Sequence, residues 1–108
     1  MPPLPFRERT KMDLWVDDKR LPEAYGLKGF VRVTTSAEAI ALLETGEVRF
    51  ASLDHDLGLK SGTGYDIVCW MEEHDVWPPD GVRVHSMNVV GRKRMEAVIE
   101  RHYGRVIP

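Results

Sequence analysis

The sequence predicts an α/β fold built on a mostly parallel sheet, and three observations predict it. Short apolar runs at about 12–17, 30–34, 48–53 and 82–86 alternate with stretches that carry helix signals. Two of the runs, Leu14-Trp15-Val16-Asp17-Asp18 and Phe50-Ala51-Ser52-Leu53-Asp54-His55-Asp56, end in clustered acids. Glycine and proline punctuate the intervals between runs. Apolar runs of this length read as buried parallel strands. Their alternation with helices implies a parallel sheet with helices on both faces, a three-layer sandwich. In open sheets of this kind the carboxyl ends of the strands form the ligand crevice.

Taken in order, residues 1–11 hold three prolines and alternating charge, and are expected to form an extended arm ahead of one domain over 12–108. The first strand spans about 12–17. Pro22 can open a short helical turn, and Gly26 and Gly29 leave no room for a longer helix before the second strand at 30–34. Thr35 and Glu38 form a T-x-x-E capping box for a helix with Ile40, Leu42 and Leu43 as its apolar stripe, ended by Gly46. A third strand covers 48–53. A helix over 64–74 follows, with Val68 and Met71 facing inward, and Trp77-Pro78-Pro79-Asp80-Gly81 forms a turn. The fourth strand begins at Val82. Asn88 is a good N-cap for a last helix with Met95, Val98, Ile99 and Tyr103 on one stripe. Gly104 stops that helix, and Arg105-Val106-Ile107 is long enough only for a short fifth strand.

Composition narrows the function. The chain has 108 residues, 43% hydrophobic and 30% charged, with 15 basic and 17 acidic residues and a net charge of −2. That balance gives no electrostatic basis for non-specific binding to DNA or to a membrane surface. No apolar stretch reaches the roughly 20 residues of a membrane span, and the first residues lack the apolar segment of a signal peptide, so a cytoplasmic location is expected. Cys69 is the single cysteine, which excludes an internal disulfide and reads as a buried helix thiol.

The acids at the strand ends carry the chemistry. If the first and third strands are neighbours, Asp17, Asp18 and Asp54 converge on one small volume. Two unit charges about 4 Å apart repel by roughly 4 kcal/mol at an effective dielectric near 20. Such a cluster needs raised pKa values, a basic neighbour or a bound cation, and hard oxygen ligands suit Mg2+ or Mn2+. The bland alternative is that these acids only cap turns. His55 lies between Asp54 and Asp56 and is either a ligand or proton-transfer group, or a ring that packs or faces solvent. His85, Ser86 and Asn88 stand at the same mouth, where a helix N-terminus can take phosphate. Gly91 permits close approach, while Arg92, Lys93 and Arg94 oppose the helix dipole, a conflict that an anion nearby would relieve. The alternative is a solvated basic face. Lys19 and Arg20 beside the first acids can hold a phosphate or be solvated. The glycines at 58, 62 and 64 lack the order of a phosphate-binding P-loop.

These residues resemble the receiver domains of two-component signalling over about 12–107. Asp17-Asp18 resembles the family's acidic metal-binding pair, Asp54 its phospho-accepting aspartate, Gly64 the glycine opening the third helix and Ser86 its Ser/Thr switch residue. Where receivers continue with a lysine and a last helix, this sequence ends at Arg105-Val106-Ile107-Pro108. The combination W-V-D-D-x-R-x-P, S-L-D-H-D-L-G, G-Y-D and H-S-M-N-x-x-G-x-x-R-M is similar to a divergent offshoot, the cyclic-phosphate processing receiver-like domains. That resemblance implies a flavodoxin-like fold with strand order 2-1-3-4-5, lacking the last receiver helix. It also implies a metal-dependent role on cyclic phosphates such as RNA ends or cyclic nucleotides.

The reading that follows is a divalent-metal-dependent phosphoesterase or phosphate-processing enzyme. Asp17, Asp18 and Asp54 hold Mg2+ or Mn2+. Asp56 or His55 is the general base, His85 the general acid, and Ser86, Asn88, Arg92 and Arg20 grip the phosphate. Its rival is a non-enzymatic receiver-like signalling or binding module phosphorylated on Asp54. The expected partner is a phosphate-containing small molecule or RNA end, with no oligomeric state implied.

Overall fold

A computed structural model of the chain describes residues 11–104. Strand β1 (Met12–Val16) lies between β2 (Phe30–Val33) and β3 (Val48–Leu53), and β4 (Val82–Val84) pairs with the far side of β3. All three pairings are parallel, in the order β2-β1-β3-β4. This is the order expected for the first four strands. The proposed fifth strand at 105–107 and the arm at 1–10 lie outside the described residues. Helices α1 (Ser36–Glu44) and α2 (Gly64–His74) form the β2–β3 and β3–β4 crossovers, α3 (Val89–Tyr103) follows β4, and the β1–β2 connection contains a single 3-10 turn at Pro22–Tyr25.

Each helix starts at a side chain that satisfies backbone donors left over at its first turn. The Thr35 hydroxyl accepts from the Glu38 N–H at 3.1 Å. Glu38 accepts in return from the Thr34 N–H at 3.2 Å, one residue earlier than the expected box requires. The Thr34 N–H and the Thr35 hydroxyl hold the Glu38 carboxyl below its ordinary range. At α2 the box is complete and joins Thr63 to Asp66 in both directions. At α3 the Asn88 side chain accepts from the Gly91 N–H at 2.9 Å.

Period-two alternation divides the strands into two faces. Leu14, Val16, Ala51 and Leu53 point one way into a buried cluster. That cluster also contains Ala39 and Leu43 of α1, Ile67, Val68 and Met71 of α2, and Met95 and Val98 of α3. The three α-helices therefore share one face of the sheet. On the other face the register sets Arg32, Trp15, Ser52 and Arg83 side by side across all four strands. Among the described residues the covering layer here is thin: the 3-10 turn brings Tyr25 to 5.8 Å from the Trp15 ring, and Phe30 meets that ring edge-on at 5.9 Å. The short first crossover accounts for this, because Gly26 and Gly29 take positive φ and end the turn after one revolution. Cys69, expected to be buried, is only partly so.

Candidate functional site

Asp17 and Asp54 extend the β1 and β3 ladders by one residue. The Asp17 N–H donates to the Val33 carbonyl at 3.1 Å and the Asp54 N–H to that of Val16 at 2.9 Å. The pairing of β1 with β3 thus brings the two acids together, and the next residue adds Asp18. Carboxylate oxygens from Asp17, Asp18 and Asp54 all lie within 4.8 Å of one another, close enough for one cation to bridge.

The two adjacent acids differ sharply. Asp17 is wholly buried and accepts three hydrogen bonds. Its Oδ1 accepts from the backbone N–H groups of Lys19 and Arg20 at 2.8 and 2.9 Å, which folds the chain back after β1. Its Oδ2 takes the Nε2 of His85 at 3.0 Å. Asp18 instead keeps a buried Oδ1 with no partner. A buried carboxylate oxygen without a donor is costly, and this one is free to accept from a donor or a cation. Gly58, at φ +92°, lets the loop pass Asp18, since a Cβ there would come within 3.2 Å of its Oδ2. Burial raises the Asp54 pKa, against the His55 N–H that donates to it at 2.8 Å and with help from the neighbouring charge of Asp17.

Behind Asp17 runs a relay across the thinly covered face. Ser52 Oγ lies 2.8 Å from His85 Nδ1. Because Asp17 can only accept, its bond assigns the ring proton to Nε2, and Nδ1 then accepts from the Ser52 hydroxyl. Burial lowers the His85 pKa despite Asp17, so the imidazole is neutral near pH 7. The Trp15 indole stacks on this ring at 3.9 Å and 7°, and its N–H donates to the Arg20 carbonyl at 2.8 Å. One tryptophan therefore fixes both the imidazole and the turn.

On the other side of Asp54, His55 turns into the protein. Its Nδ1 meets Asp56 at 2.7 Å, and its ring lies against Gly91, where an added Cβ would sit 2.5 Å from ring carbons. The His55 bond lowers the Asp56 pKa below the carboxylate range. The Asn88 amide reaches Asp56 at 3.4 Å and joins the β4–α3 corner to this loop.

A cavity of about 140 Å3 opens over the acids, lined by Asp17, Asp54, Asp56, Lys19, Arg20, Ser86 and Asn88, with Met87 beside them. Of the residues expected at the site, Asp18, His55, His85 and Arg92 are not part of this lining. The basic run on α3 separates: Arg94 lies over the Tyr65 ring at 4.4 Å, while Arg92 borders a second cavity beyond Ser86. Sequence reasoning missed Ser52, whose only signal is a small polar residue inside an apolar strand, on the face opposite Leu53.

No helix among the described residues is long and apolar enough to cross a membrane. A search of curated proteins returns no match. The fold is similar to a crystal structure of the signal receiver domain of a protein described as a Luxo repressor from Vibrio parahaemolyticus. The two share 17% identity at a TM-score of 0.55, over 90% of this chain and 92% of that one. The profile of the cyclic-phosphate processing receiver domain matches residues 12–101, most of the chain. This protein therefore belongs to the cyclic-phosphate processing receiver domain family.

Proposed function

We propose that the chain is a divalent-metal-dependent phosphoesterase that opens cyclic phosphodiesters. The observation that carries this reading is the clustering of three carboxylates, one of them Asp18 with a buried oxygen that has no partner, beside a cavity lined by Lys19, Arg20 and Ser86. Asp18 and Asp54 have coordination to offer, and Asp17, already held by three donors, shapes the cluster and contributes what remains. Mg2+ or Mn2+ bound there would polarise a phosphoryl oxygen and lower the pKa of a water.

The chain's own residues do the rest. Arg20, Ser86 and Asn88 orient the phosphate. Asp56, kept ionised by His55, takes a proton from the attacking water. Water oxygen bonds to phosphorus, one ring P–O bond breaks, and the proton on Asp56 passes to the departing alkoxide, which leaves a phosphomonoester. His85 has both nitrogens engaged, so it serves here as a positioning residue for Asp17 rather than as the expected general acid.

Asp54→Asn is expected to abolish Mn2+-dependent hydrolysis of adenosine 2′,3′-cyclic phosphate. It should also remove the stabilisation that Mn2+ gives the wild type, about 2.7 kcal/mol at a hundredfold excess over Kd. Hydrolysis that survives the substitution overturns the assignment. The receiver-like neighbour and the Ser86 hydroxyl beside Asp54 favour a second reading, a signalling module phosphorylated on Asp54. A stable beryllofluoride adduct on Asp54, without turnover of any cyclic phosphate, would select it.

A further inference from the structure

Beyond Ser86 lies a cavity of about 490 Å3 on the thinly covered face of the sheet. Its size falls in the range that encloses small ligands, roughly 300–1,000 Å3. Arg20, Ser86 and Met87 line both this cavity and the one over the acids, so the two adjoin. Tyr25, Leu27 and Val84 supply its apolar surface, and Arg20, Arg83 and Arg92 supply three guanidinium groups. No carboxylate is among its lining residues. Elsewhere the described guanidiniums of Arg49 and Arg101 are paired with Asp13 and Glu72 at 2.8 Å. None of the three at the cavity is in an ion pair among the described residues, and Arg92 Nε is buried without a partner. Tyr25 touches the Trp15 ring yet is 55% exposed, so much of its ring stays available for stacking.

We infer that this cavity is a nucleoside subsite: the base of the substrate stacks on Tyr25, and Arg83 and Arg92 meet the electron-rich edge of the sugar and base, while the cyclic phosphate sits past Ser86 at the carboxylates. The combination of an aromatic ring, apolar walls and guanidiniums is what nucleobases bind by stacking and cation–π contact. The inference rests on the phosphoesterase reading and adds to it the place where the nucleoside that carries the cyclic phosphate is held.

The test is calorimetric binding to the full chain with Ca2+ in place of the activating metal, comparing adenosine 2′,3′-cyclic phosphate with glycerol 1,2-cyclic phosphate. Wild type is expected to prefer the nucleoside ligand by about tenfold or more, as stacking is worth about 1–3 kcal/mol per base. Tyr25→Ala should erase the preference and leave glycerol cyclic phosphate binding unchanged, and Arg83→Ala should reduce it. Equal binding of both ligands by wild type, or a preference that survives Tyr25→Ala, overturns the subsite while the phosphate site stands. Binding of neither ligand overturns both readings. An oligoribonucleotide ending in the same cyclic phosphate separates the two sources of this chemistry. Tighter binding than the mononucleotide assigns the subsite to RNA ends, and weaker binding assigns it to free nucleotides.

Discussion

The same strands build two unlike faces. On the helix side, Leu14, Val16, Ala51 and Leu53 are fully buried against α1, α2 and α3. On the other side, the alternate residues Arg32, Trp15, Ser52 and Arg83 form a row that, among the described residues, meets the rings of Tyr25, Phe30 and His85 and no α-helix. The helix side removes apolar area from water and supplies most of the stability. The thin side buries Trp15 with rings instead of a helix, so polar groups such as Ser52 and His85 can persist next to an opening. Fold strength and site chemistry are thus separated by one residue of strand register.

The largest effect that tests this division is on the helix side. Leu53→Ala should lower unfolding free energy by about 2–5 kcal/mol in urea titration. A loss below that of a surface substitution would show that this face does not carry the fold. A smaller effect is expected across the sheet. Ser52→Ala leaves His85 Nδ1 without its donor and should cost about 1–3 kcal/mol. The nitrogen shifts of His85 in NMR should report a changed tautomer balance. An unchanged spectrum would make the thin face a passive cover.

The smallest effect probes the far end of α3, where the Tyr103 hydroxyl donates to the Pro78 carbonyl. Burial pushes this phenol from 10.0 up to about 12. The unfolded chain ionises first, so stability present below pH 10 is lost as pH rises toward 12. Tyr103→Phe should flatten that alkaline decline in thermal melts, and an identical decline would place its cause elsewhere.

Much of this architecture was legible in the residues. Asp17 and Asp54 mark the strand ends because acids rarely follow apolar runs without a reason, and Thr35, Asn88 and Gly46 punctuate helices through local bonds. What stayed hidden depends on pairing between distant segments. Nothing local in Asp17-Asp18 tells which acid folds the turn and which keeps an open oxygen. That is decided by His85, 68 residues away. The thinness of one face was equally obscured, because strands alternating with helices suggest cover on both sides. Only Gly26 and Gly29 hint that the first crossover is too short for it. Tyr25 and Arg83 acquire meaning only once β1, β3 and β4 stand in register.

The Trp15–His85 stack has a practical consequence. Indole emission responds to the charge and tilt of an aromatic neighbour in van der Waals contact. Trp15 touches a ring bonded to Asp17, so it works as an intrinsic optical gauge of the carboxylate cluster. Trp70 and Trp77 stack on His74 and His102 in other parts of the molecule, away from the carboxylates. Occupancy of the crevice can thus be followed in the unlabelled protein, by light alone.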